Sequence, residues 1–336
     1  ISSCPLSHLK QLVLKNNSIG DIGAACLGNN NTWTTLTYLD LEKNQIGKEG
    51  ISHLIKAPSI TLNTLKLARN KFGDEGAIEL AKNTTWKNLE TLILYQNDIG
   101  EQGAAGLAAN TSWVNLKVLD LNGNKLQDKG AANLAKNTTW VSLQNLILER
   151  NGICGQGLHD LCQNKSWQNL EILILNSNKV ENNGMTALAK SIWHKLQRLE
   201  LNNNSIAEDG VQKLALNTTW ADLRILALDE NNIGSGGLKE ICNNPKWTNL
   251  TELHIRQNSI NDDGILWLSK CQRWEHLTAL HLSNNLITDS GLGLLLKTPY
   301  FPNLETLSLH GNPIQTKDPL IIHRSALGRD SLTVQR

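Results

Sequence analysis

Apolar residues recur along this chain at a fixed interval. The pattern L-x-x-L-x-L-x-x-N-x-(I/L/V/F) begins twelve times, first at Leu9 and last at Leu304. Nine of the eleven intervals between these starts are 27 residues long, and two are 26. Self-similarity at this period is typical of a solenoid, in which each repeat packs against its neighbours only. The length of the chain suggests two ordinary domains, but the repeat predicts one solenoid over residues 1–314, followed by a C-terminal cap and tail over 315–336.

Each repeat has two halves with different periods. The segment Leu39-Asp40-Leu41 alternates apolar and variable residues, which is the period of a β-strand. Every repeat except the last then has a Gly six residues after its Asn, followed by apolar residues at helical spacing, such as Ala77 and Leu80. We predict that the Gly lets the first helical turn approach the strand layer, and that acidic residues just before it favour the helix N-terminus.

Asn and Trp mark the end of most repeats. Asn stands at the predicted helix end in seven of them, at Asn30, Asn83, Asn110, Asn137, Asn164, Asn217 and Asn244. Because Asn tolerates the left-handed backbone that terminates helices, we predict that conformation here. Trp precedes the next strand's first Leu by three residues in nine repeats, at Trp33, Trp86, Trp113, Trp140, Trp167, Trp193, Trp220, Trp247 and Trp274. These are predicted to form one packed column between helix ends and returning strands.

These residues resemble the leucine-rich repeat family. The strand signature L-x-x-L-x-L-x-x-N is that of the family at large, and the 26–27 residue period with a helix that starts at Gly resembles its ribonuclease-inhibitor-like class. The resemblance implies an α/β horseshoe with a concave parallel β-sheet, convex helices, and Asn side chains bonded to the backbone where the chain leaves each strand. The short helical half and the N-T-T-W segments depart from the alternating units of ribonuclease inhibitor itself, so we do not transfer its target.

Composition and charge exclude several classes of function. The chain carries 40 Asn and 10 Trp but only 3 Tyr and 2 Phe, an excess that the repeat explains. A formal net charge of +1 gives no reason to expect nucleic acid as a partner, and no run approaches the ~18 apolar residues that membrane insertion needs. The sequence has no phosphate-binding loop, hydrolase or zinc-protease motif. We therefore expect no enzyme activity, cofactor, metal or small-molecule substrate.

Six Cys and nine N-x-S/T sequons bear on the compartment. The Cys are Cys4, Cys26, Cys154, Cys162, Cys242 and Cys271. They form no C-x-x-C, and Cys162 and Cys242 share a helix position in distant repeats, so scattered buried thiols in a reducing compartment are favoured. Six sequons coincide with the helix-end Asn and are explained by the repeat, so we expect a cytoplasmic monomer rather than a secreted protein. Because the chain begins almost directly with the first repeat, we also expect a cap or domain to belong before it.

The variable strand positions are where we look for function, because the core uses the Leu positions. Repeats 4 to 7 place apolar residues on the predicted concave face, at Ile93, Tyr95, Val118, Ile147, Ile172 and Ile174. The charged residues predicted to rim them are Asp120, Glu149, Arg150 and Glu200. An apolar centre with a charged rim is typical of a protein-binding hot spot. The alternative is that β-branched residues simply favour strands.

Two smaller features lie outside this strip. His254 and His281 share one strand position in adjacent repeats, so we expect their side chains about 5 Å apart on the concave face. A metal site, a pH-sensitive patch for an acidic partner and plainly solvated histidines are the alternatives, and the last is favoured. On the convex side, Trp267 and Leu294 mark either a second contact or a surface covered by the C-terminal segment.

The sequence therefore predicts a non-enzymatic scaffold that binds a protein partner along its concave face. The resemblance implies more specific settings: an effector that an intracellular bacterium delivers into the host cytosol, or an innate-immune ligand-sensing domain. A GTPase-activating module is the alternative from another class, although repeat proteins of that kind carry an acidic C-terminal tail that this sequence does not have.

Overall fold

Strands and helices alternate along the whole described chain. The computed structural model describes residues 6–57, 61–298, 301–315 and 333–335. The chain divides into two compact units, Ile1–Leu173 and Ile174–Arg336. The first unit contains β1 (Gln11–Val13), α1 (Gly20–Gly28), β2 (Tyr38–Asp40), α2 (Lys48–Leu54), β3 (Thr64–Lys66), α3 (Gly73–Ala81), β4 (Thr91–Ile93), α4 (Glu101–Ala109), β5 (Val118–Asp120), α5 (Gln127–Leu134), β6 (Asn145–Ile147) and α6 (Gly155–Cys162).

The boundary between the units falls inside β7 (Ile172–Ile174). The second unit continues with α7 (Glu181–Ala189), β8 (Arg198–Glu200), α8 (Glu208–Leu214), β9 (Ile225–Ala227), α9 (Gly234–Asn243), β10 (Glu252–His254), α10 (Asp262–Leu268), β11 (Ala279–His281), α11 (Asp289–Lys297), β12 (Thr306–Ser308) and β13 (Thr333–Gln335). The prediction of one short strand followed by one short helix is confirmed for the first eleven repeats.

The strands pair in parallel and in chain order within each unit. In the first unit, for example, Leu65 of β3 lies between Leu39 of β2 and Leu92 of β4. Leu92 is fully buried, whereas Thr91 and Ile93 on either side of it are half-buried on the other face of the sheet. This difference follows from the two-residue period of a strand, in which neighbouring side chains point to opposite faces.

The nine Trp residues of the column are buried, as the packing role predicts. Each is exposed by 1% or less. Trp220 and Trp247 stack with their ring centroids 6.2 Å apart, and Phe301 continues the column 6.4 Å from Trp274. Within the described residues, all nine indole Nε1 atoms are buried without a hydrogen-bond acceptor.

Buried Asn side chains form a ladder where the chain leaves each strand. The Oδ1 atom of Asn97 accepts the backbone N–H groups of Asn70 and Lys71 at 2.8 and 3.0 Å. Its Nδ2 atom donates to the carbonyls of Leu67 and Leu94 at 2.9 and 3.0 Å. One side chain thus satisfies four backbone groups that would otherwise be buried without partners. The role that the family resemblance implied for these Asn residues is confirmed.

The left-handed conformation predicted for the helix-end Asn residues is wrong. Asn110 has φ −73° and ψ 116°, and Asn244 has φ −61° and ψ 122°, so both are extended. Positive φ values fall instead on residues that flank the ladder Asn of a repeat, such as Lys43 at 56° and Gln45 at 59°.

The helix-end Asn residues form a second ladder instead. The Oδ1 atom of Asn110 accepts the N–H groups of Ser112 and Trp113 at 2.8 and 3.1 Å. Its Nδ2 atom donates to the carbonyls of Ala81 and Asn83 in the preceding repeat, at 2.8 and 2.7 Å. The side chain therefore fixes the turn that leads into Trp and joins it to the neighbouring coil, and a left-handed backbone is not needed.

The Gly near each helix start avoids a steric clash, but the clash is not the predicted one with the strand layer. A Cβ atom on Gly50 would lie 2.5 Å from Oδ1 of Asp21 and 2.7 Å from Cγ2 of Ile46. Ile46 belongs to the turn after β2, and Asp21 belongs to α1 of the preceding repeat. The close approach is therefore to this turn and to the neighbouring helix, rather than to the strand layer.

Acidic residues at one helix start cap the helix of the next repeat. The Oδ1 atom of Asp74, in α3, accepts the N–H groups of Gly100 and Gly103 at 2.5 and 2.8 Å. Gly100 is the N-cap residue of α4. These carboxylates do favour a helix N-terminus, but the helix that they bond is the following one.

Helices start in two alternating ways, a difference that the nearly constant spacing of the repeats does not predict. Five helices begin three residues after the ladder Asn on a residue with positive φ: Gly20, Gly73, Gln127, Glu181 and Gly234. The five helices that alternate with them begin one residue later, after an N-cap residue with an extended backbone. These N-cap residues are Gly47, Gly100, Cys154, Ala207 and Asn261. A side chain of each helix of the first kind accepts the N–H of the N-cap residue of the next helix. These side chains are Asp21, Asp74, Asp128, Asn182 and Ser235. Two consecutive repeats therefore make one structural unit.

The C-terminal region is described only in part. The predicted apolar cap segment Leu320-Ile321-Ile322 lies outside the described residues, so the division between solenoid and cap stays a prediction. Within the predicted tail, β13 pairs in parallel with β12, with Val334 opposite Leu307. None of the helices in the described ranges has both the length and the apolar character of a membrane-spanning segment.

Candidate functional site

Three positions of each repeat lie on the open face of the sheet, which is the face opposite the buried Leu side chains. They are the first and third residues of the strand and the residue two places after it. In the fourth repeat these are Thr91, Ile93 and Tyr95, all of them half-buried. Since the repeat leaves these positions free to vary, they carry the candidate sites.

The predicted apolar residues of the first unit lie on the open face, but a carboxylate separates them. Ile93 pairs with Lys66 on one side and with Asp120 on the other. Asp120 in turn pairs with Ile147. Asp120 was predicted at the rim of the strip, whereas the strand register places it between the two isoleucines.

The apolar side chains are less exposed than the sequence analysis expects. All five in the first unit are half-buried: Ile93, Tyr95, Val118, Ile147 and Ile172. The N–H of Ile172 donates to the carbonyl of Gln144 at 2.9 Å, which fixes Ile172 beside β6. Ile174 belongs to the second unit and is half-buried there.

Asp120 has an unusual electrostatic environment. Burial raises the pKa of its carboxyl, and the nearby charge of Glu149 acts in the same direction. The N–H of Asn122 donates to Asp120 Oδ1 at 2.9 Å and opposes that rise. Glu149 is half-buried and ion-paired with Arg150 at 3.4 Å.

A buried carboxylate holds other side chains in place on the open face of the first four repeats. It was not among the predicted site residues. Glu42, whose side chain is 7% exposed, accepts an ion pair from Lys15 at 2.8 Å. It also accepts a hydrogen bond from the hydroxyl of Tyr95, two repeats away. Burial opposes the charge on Glu42, but the bonds from Lys15 and Tyr95 outweigh it and lower its pKa. Burial and the bond to Glu42 raise the pKa of Tyr95 to about 12.

Two tyrosine rings on this face each carry a cation. The Nζ atom of Lys66 lies 5.3 Å from the ring centroid of Tyr38. The guanidinium carbon of Arg69 lies 5.7 Å from that of Tyr95, and Arg69 Nε donates to Gln96 at 2.7 Å. These contacts hold the rings in place, since a cation over an aromatic face is attracted by the ring's quadrupole.

The second unit has a polar open face. His254 and His281 are register partners with ring centroids 4.3 Å apart, close to the expected separation. His254 Nε2 lies 3.1 Å from a carboxylate oxygen of Glu252. Glu200 is also held, because Asn176 Nδ2 and Arg198 Nε donate to its carboxylate at 2.5 and 2.6 Å.

Arg256 fixes the protonation of His281. Its Nη2 atom lies 2.8 Å from His281 Nδ1. Because a guanidinium only donates, Nδ1 must accept and the ring proton sits on Nε2. Burial lowers the pKa of His281 to about 4, and the nearby His254 and Arg256 contribute. Arg256 also lies 3.7 Å from a carboxylate oxygen of Asp229. In the part of the chain that the structure describes, no group of three or more His, Cys, Asp or Glu could hold a metal ion.

The predicted secondary contact lies on the helical side of the second unit. Trp267 is 38% exposed, and the Nζ atoms of Lys239 and Lys270 lie 4.9 and 5.6 Å from its ring centroid. Leu294 is half-buried. The segment predicted to cover them lies largely outside the described residues, so the cover and the second contact both stay predictions.

The six sequon asparagines at helix ends are buried. Asn30, Asn83, Asn110, Asn137, Asn164 and Asn217 are each exposed by 4% or less. Their amides are engaged in the second ladder, as described for Asn110, so the folded chain does not offer them for modification. The sequons at Asn16, Asn203 and Asn249 are exposed.

Family models match this chain along most of its length. The model described as Leucine Rich repeat matches residues 6–28, 34–54, 59–81, 114–135, 168–189, 194–215, 221–242, 248–269 and 275–296. A second, described as Leucine Rich Repeat, matches residues 303–324. The first model alone covers more than half of the chain. The chain belongs to the leucine-rich repeat family.

Solved leucine-rich repeat proteins share the fold over nearly the whole chain. An internalin (inlF) from Listeria monocytogenes is 24% identical, with a TM-score of 0.62 over 98% of this chain and 87% of that one. A leucine-rich repeat protein from Leptospira interrogans is 21% identical, with a TM-score of 0.53 over 98% and 91%. A chain of the octameric complex of Latrophilin 3, Unc5D and FLRT2 (LRR) is 21% identical, with a TM-score of 0.53 over 100% and 86%. At these identities the similarity concerns the fold alone. No curated protein matches the sequence.

Leucine-rich repeat proteins act as protein-interaction scaffolds, so the polar residues of the open face matter as much as the apolar ones. The sequence analysis did not select Glu42, Arg69, Asp229 or Arg256 as site residues. All four occupy the open face or its edge, and a column-by-column comparison of repeats would have shown a charge there. Their partners, however, follow from side-chain length and direction, which repeat spacing does not disclose.

Proposed function

We propose that this leucine-rich repeat chain is a non-enzymatic scaffold that binds a protein partner on the open face of its first unit. One observation carries the proposal: half-buried Tyr38, Ile93, Tyr95 and Ile147 lie on that face beside a fixed charge network. Tyr, Arg and apolar anchors in partly desolvated positions are the residues that dominate binding energy at protein interfaces.

The charge network supports tight binding because it orders the anchors in advance. Glu42 holds the hydroxyl of Tyr95, while Arg69 lies over the same ring. Side chains that are already fixed lose little rotamer entropy when a partner arrives. A rigid sheet of short parallel strands adds to this effect.

The electrostatics indicate what the partner presents. Asp120 lies between Ile93 and Ile147, and its carboxyl is buried enough to have a raised pKa. A partner that covers it must supply a hydrogen-bond donor or a positive charge, because an unpaired buried carboxylate is costly. We therefore expect two apolar partner side chains on either side of a Lys, Arg or other donor.

The test replaces the two anchors with residues that the fold already tolerates. Lys66 occupies the same strand position one repeat earlier, and Lys at positions 93 and 147 would each lie beside Asp120. In the Ile93→Lys/Ile147→Lys variant, we expect capture of partner proteins from a lysate to weaken by about 30-fold or more, with little change in melting temperature.

Leu216→Lys is the matched control, because Leu216 is 73% exposed and follows α8, away from the open face. It should retain the same proteins as the unmodified chain. Equal capture by the double variant and the control would contradict the proposal.

The more specific predictions, made from the sequence and from the resemblance, stay predictions. They are the ribonuclease-inhibitor-like class, an effector acting in a host cell, innate-immune ligand sensing, GTPase activation, a cytoplasmic location and a monomeric state. The alternating helix starts support the class, since paired repeat units were the feature that the sequence analysis found missing.

A further inference from the structure

Two buried thiols from adjacent repeats lie together in the second unit. Cys242 is in the last turn of α9, and Cys271 follows the end of α10. The Sγ atom of Cys271 lies 3.7 Å from the carbonyl oxygen of Cys242, and the two thiols also share a hydrogen bond. The two residues are 6% and 5% exposed. Sequence spacing did not predict this pair.

Cys271 occupies the position of a helix-end Asn. In the repeat before it, Asn244 donates to the carbonyl of Ala215, 29 residues earlier, and accepts the N–H of Lys246, two residues later. Cys271 bonds to the carbonyl 29 residues earlier and to the N–H of Arg273, two residues later. The second ladder therefore holds the sulfur where the amide would be, with Cys242 as its neighbour.

The two sulfurs have unequal surroundings. The hydrogen bond from Cys242 and the N–H and charge of Arg273 favour the thiolate at Cys271 and lower its pKa, although burial acts against them. The same thiol pairing, together with burial, raises the pKa of Cys242. Because the thiolate is the nucleophile in thiol chemistry, and because the exposed Gln272 and Arg273 directly follow Cys271, we take Cys271 as the sulfur that reacts first.

We propose that Cys271 and Cys242 form a peroxide-sensitive pair that closes to a disulfide between adjacent repeats. The Cys271 thiolate attacks hydrogen peroxide, the O–O bond breaks, and the sulfur becomes a sulfenic acid while hydroxide leaves and takes up a proton as water. Cys242 then loses its proton and attacks that sulfur, an S–S bond forms, and a second water leaves. The two thiols lose two electrons in total, and one peroxide is reduced to two waters.

The turn that follows the reactive sulfur is exposed to solvent. Gln272 and Arg273, which follow Cys271 directly, are both exposed. A small displacement of this turn would admit a molecule as small as peroxide. Cys162 offers a matched comparison, because it is also buried on the same helix position as Cys242, and burial alone raises its pKa.

The experiment treats the full chain with hydrogen peroxide and then maps its cysteines by alkylation and mass spectrometry. In the unmodified chain we expect a peptide cross-linked through Cys242 and Cys271, reversed by dithiothreitol, while Cys162 stays alkylatable. Cys242→Ser, whose hydroxyl can still donate to the Cys271 sulfur but cannot form a disulfide, should leave Cys271 as a sulfenic acid that dimedone traps. Cys271→Asn should leave Cys242 unreacted.

Both variants use residues that the repeat already carries, since Ser269 and Asn244 occupy the corresponding positions. Folding is checked by circular dichroism before treatment. Free alkylation of both thiols after peroxide would overturn the proposal. So would oxidation of Cys162 at the same rate as Cys271, or absence of the dimedone adduct in a folded Cys242→Ser variant.

Discussion

At the scale of single residues, the Trp column combines efficient packing with an electrostatic cost. Each indole fills its site almost completely, yet its N–H group is buried with no acceptor in the described structure. A buried donor without a partner costs about 1–3 kcal/mol of desolvation. Phe301 fills the same position in the last repeat without that cost. Trp is therefore present for its volume rather than for its polar atom.

Substitutions at Trp140 separate volume from polarity. Trp140→Ala should lower the free energy of unfolding by about 3–5 kcal/mol, because it leaves a large cavity. Trp140→Phe should lower it by only about 1 kcal/mol, since the lost volume is partly offset by removal of the unpaired N–H. Urea unfolding followed by circular dichroism measures both. Val141→Ala, at a neighbouring residue that is 50% exposed, is the control. Equal losses for Phe and Ala would contradict this account.

The packing role of single residues could be predicted from the sequence better than their backbone conformation. The spacing of Trp140 before the next Leu was enough to place it in the core. The spacing of Asn110 was not enough, because its amide satisfies the turn from an extended backbone. The residue type indicates which groups a side chain can bond. Whether the Asn backbone is left-handed or extended depends on its contacts with the neighbouring repeat.

At the scale of elements, helix caps come from the preceding repeat. The residue four places after the ladder Asn is Asp in the first, third and fifth repeats but Lys48, Glu101 and Gly155 in the second, fourth and sixth. The Asp side chain in the odd repeats accepts N–H groups at the next helix start, and Asn182 and Ser235 occupy the same position in the seventh and ninth repeats. This alternation was visible in the sequence, but its meaning depends on helix starts that differ by one residue, which sequence patterns do not resolve.

Asp74 and Glu101 provide a matched pair of substitutions. Asp74→Ala removes the acceptor for the N–H groups of Gly100 and Gly103 and should cost about 0.5–2 kcal/mol of stability. Amide exchange at Gly103 should become faster. Glu101→Ala should change stability by less than about 0.5 kcal/mol, because Glu101 is exposed and makes only a long ion pair with Lys129. Similar effects of both substitutions would show that the cross-repeat cap does not stabilise α4.

The arrangement of the candidate site could also be predicted only in part. Ile93, Asp120 and Ile147 are spaced by 27 residues, so their side-by-side order follows from the repeat itself. The bond between Tyr95 and Glu42 spans two repeats and crosses Ala68, whose small side chain leaves room for it. Contacts of that kind depend on the side chains of three repeats together, and no single-repeat pattern contains them.

At the scale of the whole molecule, the two units differ in the chemistry of their open faces. The first presents tyrosines and isoleucines around a fixed ion pair. The second presents His254, His281 and Arg256 among carboxylates. The twelve repeats share one scaffold, so this difference is carried entirely by positions that the scaffold does not constrain.

The stability of the second unit should therefore depend on pH through His281. Its pKa is lowered from the ordinary 6.5 to about 4 in the folded state. Between these values the unfolded chain binds the proton and the folded chain does not. The stabilising contribution is complete above about pH 6.5 and is lost as the pH falls toward 4.

Urea unfolding at pH 7 and near pH 4.5 tests this expectation. His281→Gln should reduce the loss of stability between the two conditions. His276→Gln removes an exposed histidine of the same unit and should leave the pH dependence as it is. An unchanged pH dependence in His281→Gln would show that the ring titrates normally.

The alternation of helix starts also limits how this array can gain or lose length. Removing a single repeat from the alternating part would place two helices of the same kind side by side and separate a cap from the N–H groups that it bonds. Removing two leaves every cap with the N–H groups that donate to it, and the distance from Gly20 to Gly73 or from Gly73 to Gln127 is 53 or 54 residues. The helices α10 and α11 are an exception, because both begin in the later way. There Asp262 accepts the N–H of Thr288 at 2.9 Å, so the start of α11 is still capped. Insertions and deletions that preserve the fold should therefore come in steps of two coils, unless a second carboxylate is supplied at the junction.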